Sequence, residues 1–123
     1  MVLVSESESE VAPRIAKRLA PAAWYASVAD LVRGQSLSSV AVLVVHSPPL
    51  PRGILLVALG RMNLEYPAIQ KVAVLDGLPS LLVAEYLTAC GVDLVCAETR
   101  EESIERLAAV VNRMHERTAW IAT

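Results

Sequence analysis

An unbroken run of apolar, mostly β-branched residues near the middle of the chain ends at two consecutive prolines. Residues 40–45 read Val-Ala-Val-Leu-Val-Val, and His46 and Ser47 separate them from Pro48 and Pro49. A strand without polar alternation is typical of the buried centre of a parallel sheet. In open α/β sheets, ligands bind at the carboxyl ends of such strands. The sequence therefore predicts a central strand over 40–45 whose end offers a histidine and a serine but no carboxylate.

Composition limits the class of protein. The chain has 123 residues, of which 54% are hydrophobic, and this is the size of one domain with one core. No apolar run approaches the roughly 18 residues of a membrane span, and the N-terminus does not resemble a signal peptide, so we expect a cytoplasmic chain that does not contact a membrane. The net charge of −2 without a basic stripe argues against direct nucleic-acid binding. Cys90 and Cys96 are expected to be free thiols in a reducing compartment. The sequence has no glycine-rich phosphate loop, so we expect no cofactor.

Short apolar segments alternate with helical patterns along the whole chain. Residues 54–59 are apolar on every side, and they fit a strand or a buried helix, of which we favour the helix. Five strand–helix repeats predict a parallel sheet with right-handed crossovers. We expect an α/β, flavodoxin-like (βα)5 sandwich with strand order 2-1-3-4-5, forming one domain over residues 1–123. The predicted strands are 1–4, 22–26, 40–45, 72–75 and 92–97, and the predicted helices are 11–20, 28–33, 54–59, 81–89 and 100–115.

Capping residues define several helix ends. Ser7 and Glu10 fit a capping box before the first helix, which Pro21 would end. Ser80 is placed to cap the fourth helix, with Gly91 just beyond its end. Residues 120–123 are predicted to follow the last helix, where they either pack on the body or mark the point at which a longer regulatory protein was cut.

Three segments resemble a response-regulator receiver domain, and the resemblance extends over nearly the whole chain. Receivers have an apolar first strand followed by an acidic pair, a proline and a glycine after the third strand, and an alanine-glycine-alanine-aspartate junction before the fifth. The matching segments here are Val2-Leu3-Val4 with Glu6-Ser7-Glu8, then Pro49 with Gly53, and Leu87-Thr88-Ala89-Cys90-Gly91-Val92-Asp93.

The resemblance implies which positions would carry receiver chemistry, and most of them depart from the pattern. The phosphoacceptor aspartate falls on Val45, with Val44 and His46 as the nearest alternatives. Glu6 and Ser7 occupy the positions of the magnesium-binding acidic pair. Receivers have a hydroxyl residue after the fourth strand, and that position falls on Asp76 here. They have a lysine after the fifth strand, and that position falls on Glu98.

These departures remove the phosphotransfer chemistry. Phosphoryl transfer to a carboxylate needs an in-line nucleophile and positively charged groups that neutralise the transferred oxygens. Val45 offers no nucleophile, and Glu98 inverts the charge at a cost of about 4 kcal/mol. We therefore interpret the chain as a degenerate receiver, or pseudo-receiver, without enzymatic activity. A conventional receiver in a different register is the alternative, but none of Asp30, Asp76 and Asp93 ends the central strand.

The polar strand ends allow a second interpretation, a small α/β enzyme or a ligand- or metal-binding domain. In this interpretation, acidic side chains would converge at one edge of the sheet, namely Glu6, Glu8, Asp76 and Glu98. Their oxygens could bind a metal, for which Glu6 and Asp76 are the candidates. Alternatively, the four side chains would form a solvated acidic rim. Crowded carboxylates there would have raised pKa values unless a positive group binds among them. His46 would be a base or phosphoacceptor in this interpretation, but we favour a capping or hydrogen-bonded loop histidine, because no carboxylate or glycine loop adjoins it in the sequence.

The fourth helix is apolar around most of its circumference, with Glu85 as its only charge. Such a helix should be covered on a second side, either by the chain's own loops or by another protein. In receivers the fourth helix, fifth strand and fifth helix form the usual partner surface. The sequence therefore predicts a phosphorylation-independent module for homodimerisation or partner binding in bacterial signalling or transcriptional regulation. Its interface residues would be Leu81, Leu82, Tyr86, Val95 and Arg106.

Overall fold

The computed structural model describes residues 1–7, 9–20 and 22–122. Its sheet has five parallel strands in the order β2-β1-β3-β4-β5, which confirms the predicted flavodoxin-like topology. The strands are β1 Val2–Ser5, β2 Ala23–Tyr25, β3 Val42–Ser47, β4 Gln70–Leu75 and β5 Val92–Cys96, and the α-helices are α1 Val11–Ala16, α2 Val28–Gly34, α3 Gly53–Glu65, α4 Leu81–Ala89 and α5 Glu101–Ala122.

The apolar strands are buried on both faces because helices cover each side of the sheet. Alternate β3 residues such as Leu43 and Val45 pack with α2, α3 and α4, and their neighbours Val42 and Val44 pack with α1 and α5. All six β3 residues are buried. The absence of polar alternation in this segment is therefore explained by two separate core layers.

The central strand begins and ends two residues later than predicted. A short 3-10 turn over Leu37–Ser39 precedes it, and the Val40 amide is bonded to the Leu37 carbonyl in that turn. The strand continues through His46 and Ser47 and stops at Pro48, which has no amide hydrogen to donate. His46 is thus a strand residue, and the predicted loop position was wrong.

Helix α1 differs from its prediction at both ends. Its N-cap is Glu10, without a side-chain capping bond, so the predicted Ser7–Glu10 capping box is absent. The helix stops at Ala16, although it was expected to continue to residue 20. The Asn112 side chain of α5 instead accepts a hydrogen bond from the Ala20 amide (2.7 Å) and donates one to the Arg18 carbonyl (2.9 Å), which satisfies the backbone of the following turn.

The next two helices follow the predictions more closely. The ambiguous segment 54–59 lies within α3, so the favoured helical interpretation is confirmed. Ser80 caps α4 by accepting a hydrogen bond from the Val83 amide at 3.2 Å, as predicted. Gly91 follows that helix with a φ of 77°, the left-handed conformation expected just past a helix end.

The last helix is longer than predicted, because residues 120–122 belong to α5 and do not follow it. Its buried stripe of Ile104, Leu107, Ala108 and Val111 packs on the sheet. The predictions for Glu8, Pro21 and Thr123 lie outside the described residues. Among the described residues, no helix is long and apolar enough to cross a membrane.

Candidate functional site

The carboxyl edge of the sheet holds a polar cluster that we call the His46–Asp76 cluster: Ser5, Ser7, Ser9, His46 and Asp76. Ser5 ends β1, His46 lies near the end of β3, and Asp76 directly follows β4. Strand register places them side by side, because Ser5 pairs with His46 and the Asp76 amide donates to the Ser47 carbonyl at 3.1 Å. Ser7 and Ser9 reach the cluster from the loop between β1 and α1.

His46 is fully buried, and both of its ring nitrogens have partners. Nε2 lies 2.7 Å from Oδ1 of Asp76, and Nδ1 lies 3.0 Å from the Ser5 hydroxyl. The Ser9 hydroxyl lies 3.3 Å from Nε2. A buried imidazole with satisfied nitrogens is stable in an apolar core, and this one is not accessible to a substrate.

Asp76 accepts from three side chains. Ser7 donates to Oδ2 at 2.5 Å, Ser9 donates to Oδ1 at 2.9 Å, and His46 bonds to the same Oδ1. Burial raises the pKa of Asp76, but the hydrogen bonds from Ser7, His46 and Ser9 together outweigh burial and bring its pKa below the usual 3.8. Asp76 is therefore an ionised acceptor at neutral pH, contrary to the raised pKa predicted for crowded carboxylates.

The ionised Asp76 fixes the orientation of the imidazole. A carboxylate only accepts, so Nε2 of His46 must carry a hydrogen. Nδ1 then either accepts the Ser5 hydroxyl hydrogen, in the neutral ring, or donates to that oxygen, in the charged ring. Ser5 has one hydroxyl hydrogen and also lies 3.2 Å from the Ser7 carbonyl. The Ser5 hydroxyl can therefore donate either to Nδ1 of a neutral ring or to the Ser7 carbonyl. Beside a charged ring only the Ser7 carbonyl can accept it.

Glu6, the other candidate metal residue, lies apart from this hydrogen-bond network. Its Oε2 is buried without a partner among the described residues. Burial raises the pKa of Glu6, and the charge of Arg52 opposes the rise. The predicted convergence of Glu6, Asp76 and Glu98 on a metal is not found, since the described residues contain no group of three histidine, cysteine or acidic side chains arranged to hold one.

The other two receiver positions are placed away from the cluster. Val45 is buried in the core layer that includes residues of α3 and α4. Glu98 is exposed and accepts from Arg100 at 3.0 Å and Ser103 at 2.8 Å. These bonds, first Ser103 and then Arg100, lower the pKa of Glu98. Its carboxylate is thus held at the start of α5.

Sequence reasoning missed Ser5 and Ser9, and it missed the partner of His46. The local signal for the serines was their spacing, because residues 5, 7 and 9 alternate directly after a strand and alternate side chains share a side in extended backbone. The partner could not be found locally. Asp76 is 30 residues from His46 in the chain, and only the pairing of β3 with β4 makes them neighbours.

The predicted interface residues lie on two adjoining parts of the surface. Leu81, Leu82 and Tyr86 on α4 are 77%, 75% and 47% exposed, so the chain's own loops do not cover them. Val95 on β5 and Arg106 on α5 line one shallow groove of about 480 Å³. Apolar side chains at this exposure form the kind of patch that protein contacts cover.

Comparison with solved structures finds receiver domains. An orphan response regulator of H. pylori matches at 18% identity and a TM-score of 0.70, over 93% of this chain and 95% of that one. The BeF3-activated receiver domain of DrrB, from Thermotoga maritima, matches at 13% identity and a TM-score of 0.74, over 94% and 96%. An atypical orphan response regulator with a phosphorylation-independent regulatory mechanism matches at 18% identity and 0.66, over 92% of both chains.

These similarities establish the fold of a receiver domain. No protein-family model matches the chain, and no curated protein matches it. The identities are too low to carry more than the architecture, so what the chain does with this fold rests on its own residues.

Proposed function

We propose that this chain is a phosphorylation-independent pseudo-receiver, a protein-interaction and dimerisation module of a cytoplasmic bacterial regulatory system. The observation that carries the proposal is the carboxyl edge of β3. The position that resembles the phosphoacceptor is the buried Val45, and the adjacent edge is occupied by the bonded pair of His46 and Asp76. Val45 offers no carboxylate nucleophile for phosphoryl transfer, and both oxygens of the nearby Asp76 carboxylate already accept hydrogen bonds.

Regulation without phosphorylation requires that the structure be held by internal contacts. Asp76 directly follows β4 and is followed by the loop that leads to α4. Its bonds to His46, Ser7 and Ser9 fix the start of that loop against β3 and the loop after β1. In this proposal, these bonds replace the phosphoryl group of a conventional receiver domain. They hold α4 permanently in one position.

The apolar surface of α4 supports the interaction role. Leu81, Leu82 and Tyr86 remain exposed, and the groove beside Val95 and Arg106 continues the face onto β5 and α5. Exposed apolar patches of this kind favour protein contacts. The free state of Cys90 and Cys96 agrees with a reducing cytoplasm.

The competing enzymatic interpretation has less support. A catalytic base must reach the proton that it abstracts, and His46 is fully buried with both nitrogens bonded. Ser47 is also buried, and its hydroxyl donates to the Pro48 carbonyl at 2.8 Å. Neither side chain is available as a nucleophile or base.

The test is exposure to magnesium with beryllofluoride or a small phosphodonor, followed by amide NMR. We expect no shifts around Glu6, Val45 and Asp76, and no mass increase from phosphorylation. The BeF3-responsive DrrB receiver domain, treated in parallel, shows that the reagent is active. Saturable shifts confined to those three residues in this chain would contradict the proposal.

A further inference from the structure

A cavity of about 270 Å³ opens between the end of β1, the start of α2 and the start of α3. It is separate from the His46–Asp76 cluster. Its walls are mostly apolar, from Val28, Ile54, Leu55 and Ala58, and its two ionisable groups are Glu6 and Arg52. Binding cavities for drug-sized ligands span about 300–1,000 Å³, so this one suits a smaller molecule.

The charged ends of both side chains lack a close partner among the described residues. In the described part of the chain, Oε2 of Glu6 is buried without a hydrogen bond, and the Arg52 guanidinium has no hydrogen bond or ion pair. The two groups influence each other electrostatically, but they are not within ion-pair distance among the described contacts. A carboxylate held in this way carries a desolvation cost that a cationic hydrogen-bond donor would offset.

We infer that this cavity binds a small zwitterion with an aliphatic side chain, of which a free branched-chain amino acid is the simplest example. The ammonium group would bind the Glu6 carboxylate, the carboxylate would bind the Arg52 guanidinium, and the side chain would contact Val28, Ile54 and Ala58. Opposite charges beside an apolar wall match this ligand better than they match a purely cationic, anionic or apolar one. The inference is independent of the proposed interaction role.

The test titrates the full chain with L-leucine and follows amide NMR. Two analogues of the same skeleton serve as probes, isoamylamine without the carboxylate and 4-methylpentanoate without the amine. We expect saturable leucine shifts at residues 27–29 and 52–58. Each analogue should bind at least about tenfold more weakly, because one charged hydrogen bond is lost.

Variants separate a built site from weak surface binding. Glu6→Gln and Arg52→Gln should each weaken leucine binding by about tenfold or more, and Ala58→Leu should abolish it by filling the cavity. Arg61→Gln is the matched control, because Arg61 is an exposed α3 residue that does not line this cavity. The inference is overturned if leucine produces no saturable shift, if the analogues bind as tightly as leucine, or if Arg61→Gln weakens binding as much as Arg52→Gln does.

Discussion

Oδ1 of Asp76 lies 2.7 Å from Nε2 of His46, and this contact joins the carboxyl ends of β3 and β4 inside the protein. The histidine is fully buried. Ser7 and Ser9 connect the same carboxylate to the loop after β1. Three separate segments of the chain are therefore fixed at a single carboxylate.

Asp76→Asn should destabilise the fold by about 1–2 kcal/mol at pH 7, because the amide is uncharged and its NH2 group cannot accept the hydrogen bond that one carboxylate oxygen receives. The pKa of Asp76 is lower in the folded protein than its usual 3.8. Its contribution is therefore complete above about pH 4–5 and is lost as the pH falls through the lowered folded pKa. Urea unfolding at pH 7 and below pH 3 measures both values.

The matched control is Asp30→Asn, which removes an exposed ion pair with Arg33. We expect a change of at most about 0.5 kcal/mol, because exposed pairs contribute little. A stability difference between wild type and Asp76→Asn that persists unchanged at low pH would contradict the role assigned to the ionised carboxylate.

Lys71→Met should stabilise the protein by about 1 kcal/mol or more. Lys71 is almost fully buried, and its ammonium group donates to one carbonyl, that of Ile69, at 3.1 Å. Burial lowers its pKa from 10.5, and the charges of Asp93 and Cys90 only partly oppose this. Methionine keeps most of the side-chain volume without the cost of a buried charge.

The sign of the pH dependence provides a second measurement on Lys71. A base with a lowered folded pKa binds fewer protons when folded, so the stability of the wild type should rise as the pH increases from that pKa towards 10.5. The variant should lack this rise. Lys17→Met, on the exposed surface of the chain, is the control and should change stability little. Equal effects of the two substitutions in urea unfolding would disprove the argument.

Gly91→Ala should destabilise the protein by about 1–3 kcal/mol. Gly91 has a φ of 77°, which is unfavourable for alanine. A Cβ atom there would also lie 2.1 Å from the Asn63 side-chain oxygen. Gly53→Ala is the control, because nothing lies within 4 Å of its Cβ position and α3 begins there. Thermal unfolding should show a lower Tm for the first variant alone.

If α4 forms a homodimer interface, Leu82→Glu should weaken self-association by at least about tenfold. The substitution places a charge in an apolar contact. Analytical ultracentrifugation of the wild type and the variant measures the dimerisation constant. Val57→Glu is the matched control, because Val57 is 57% exposed on α3, outside the proposed face. A wild type that is strictly monomeric at high concentration, or an equal loss in Val57→Glu, would count against the α4 face.

Local patterns predicted the elements better than they predicted the element ends. The apolar run at 40–45 correctly indicated a central strand, but the strand is Val42–Ser47 because a preceding turn uses the first residues. Ser80 and Gly91 acted as predicted at the two ends of α4. Ser7 did not cap α1, because its hydroxyl bonds to Asp76 from another part of the chain.

The sequence by itself determined the strand–helix alternation, the parallel five-stranded sheet and the apolar character of α4. The individual elements and the character of α4 follow from the spacing of residues within short segments, and the parallel sheet follows from the alternation of those elements along the chain. Only the tertiary structure decided that His46 and Asp76 form a buried pair and that Glu6 and Arg52 share a cavity. Those outcomes depend on strand register and helix packing, which bring together side chains that are tens of residues apart.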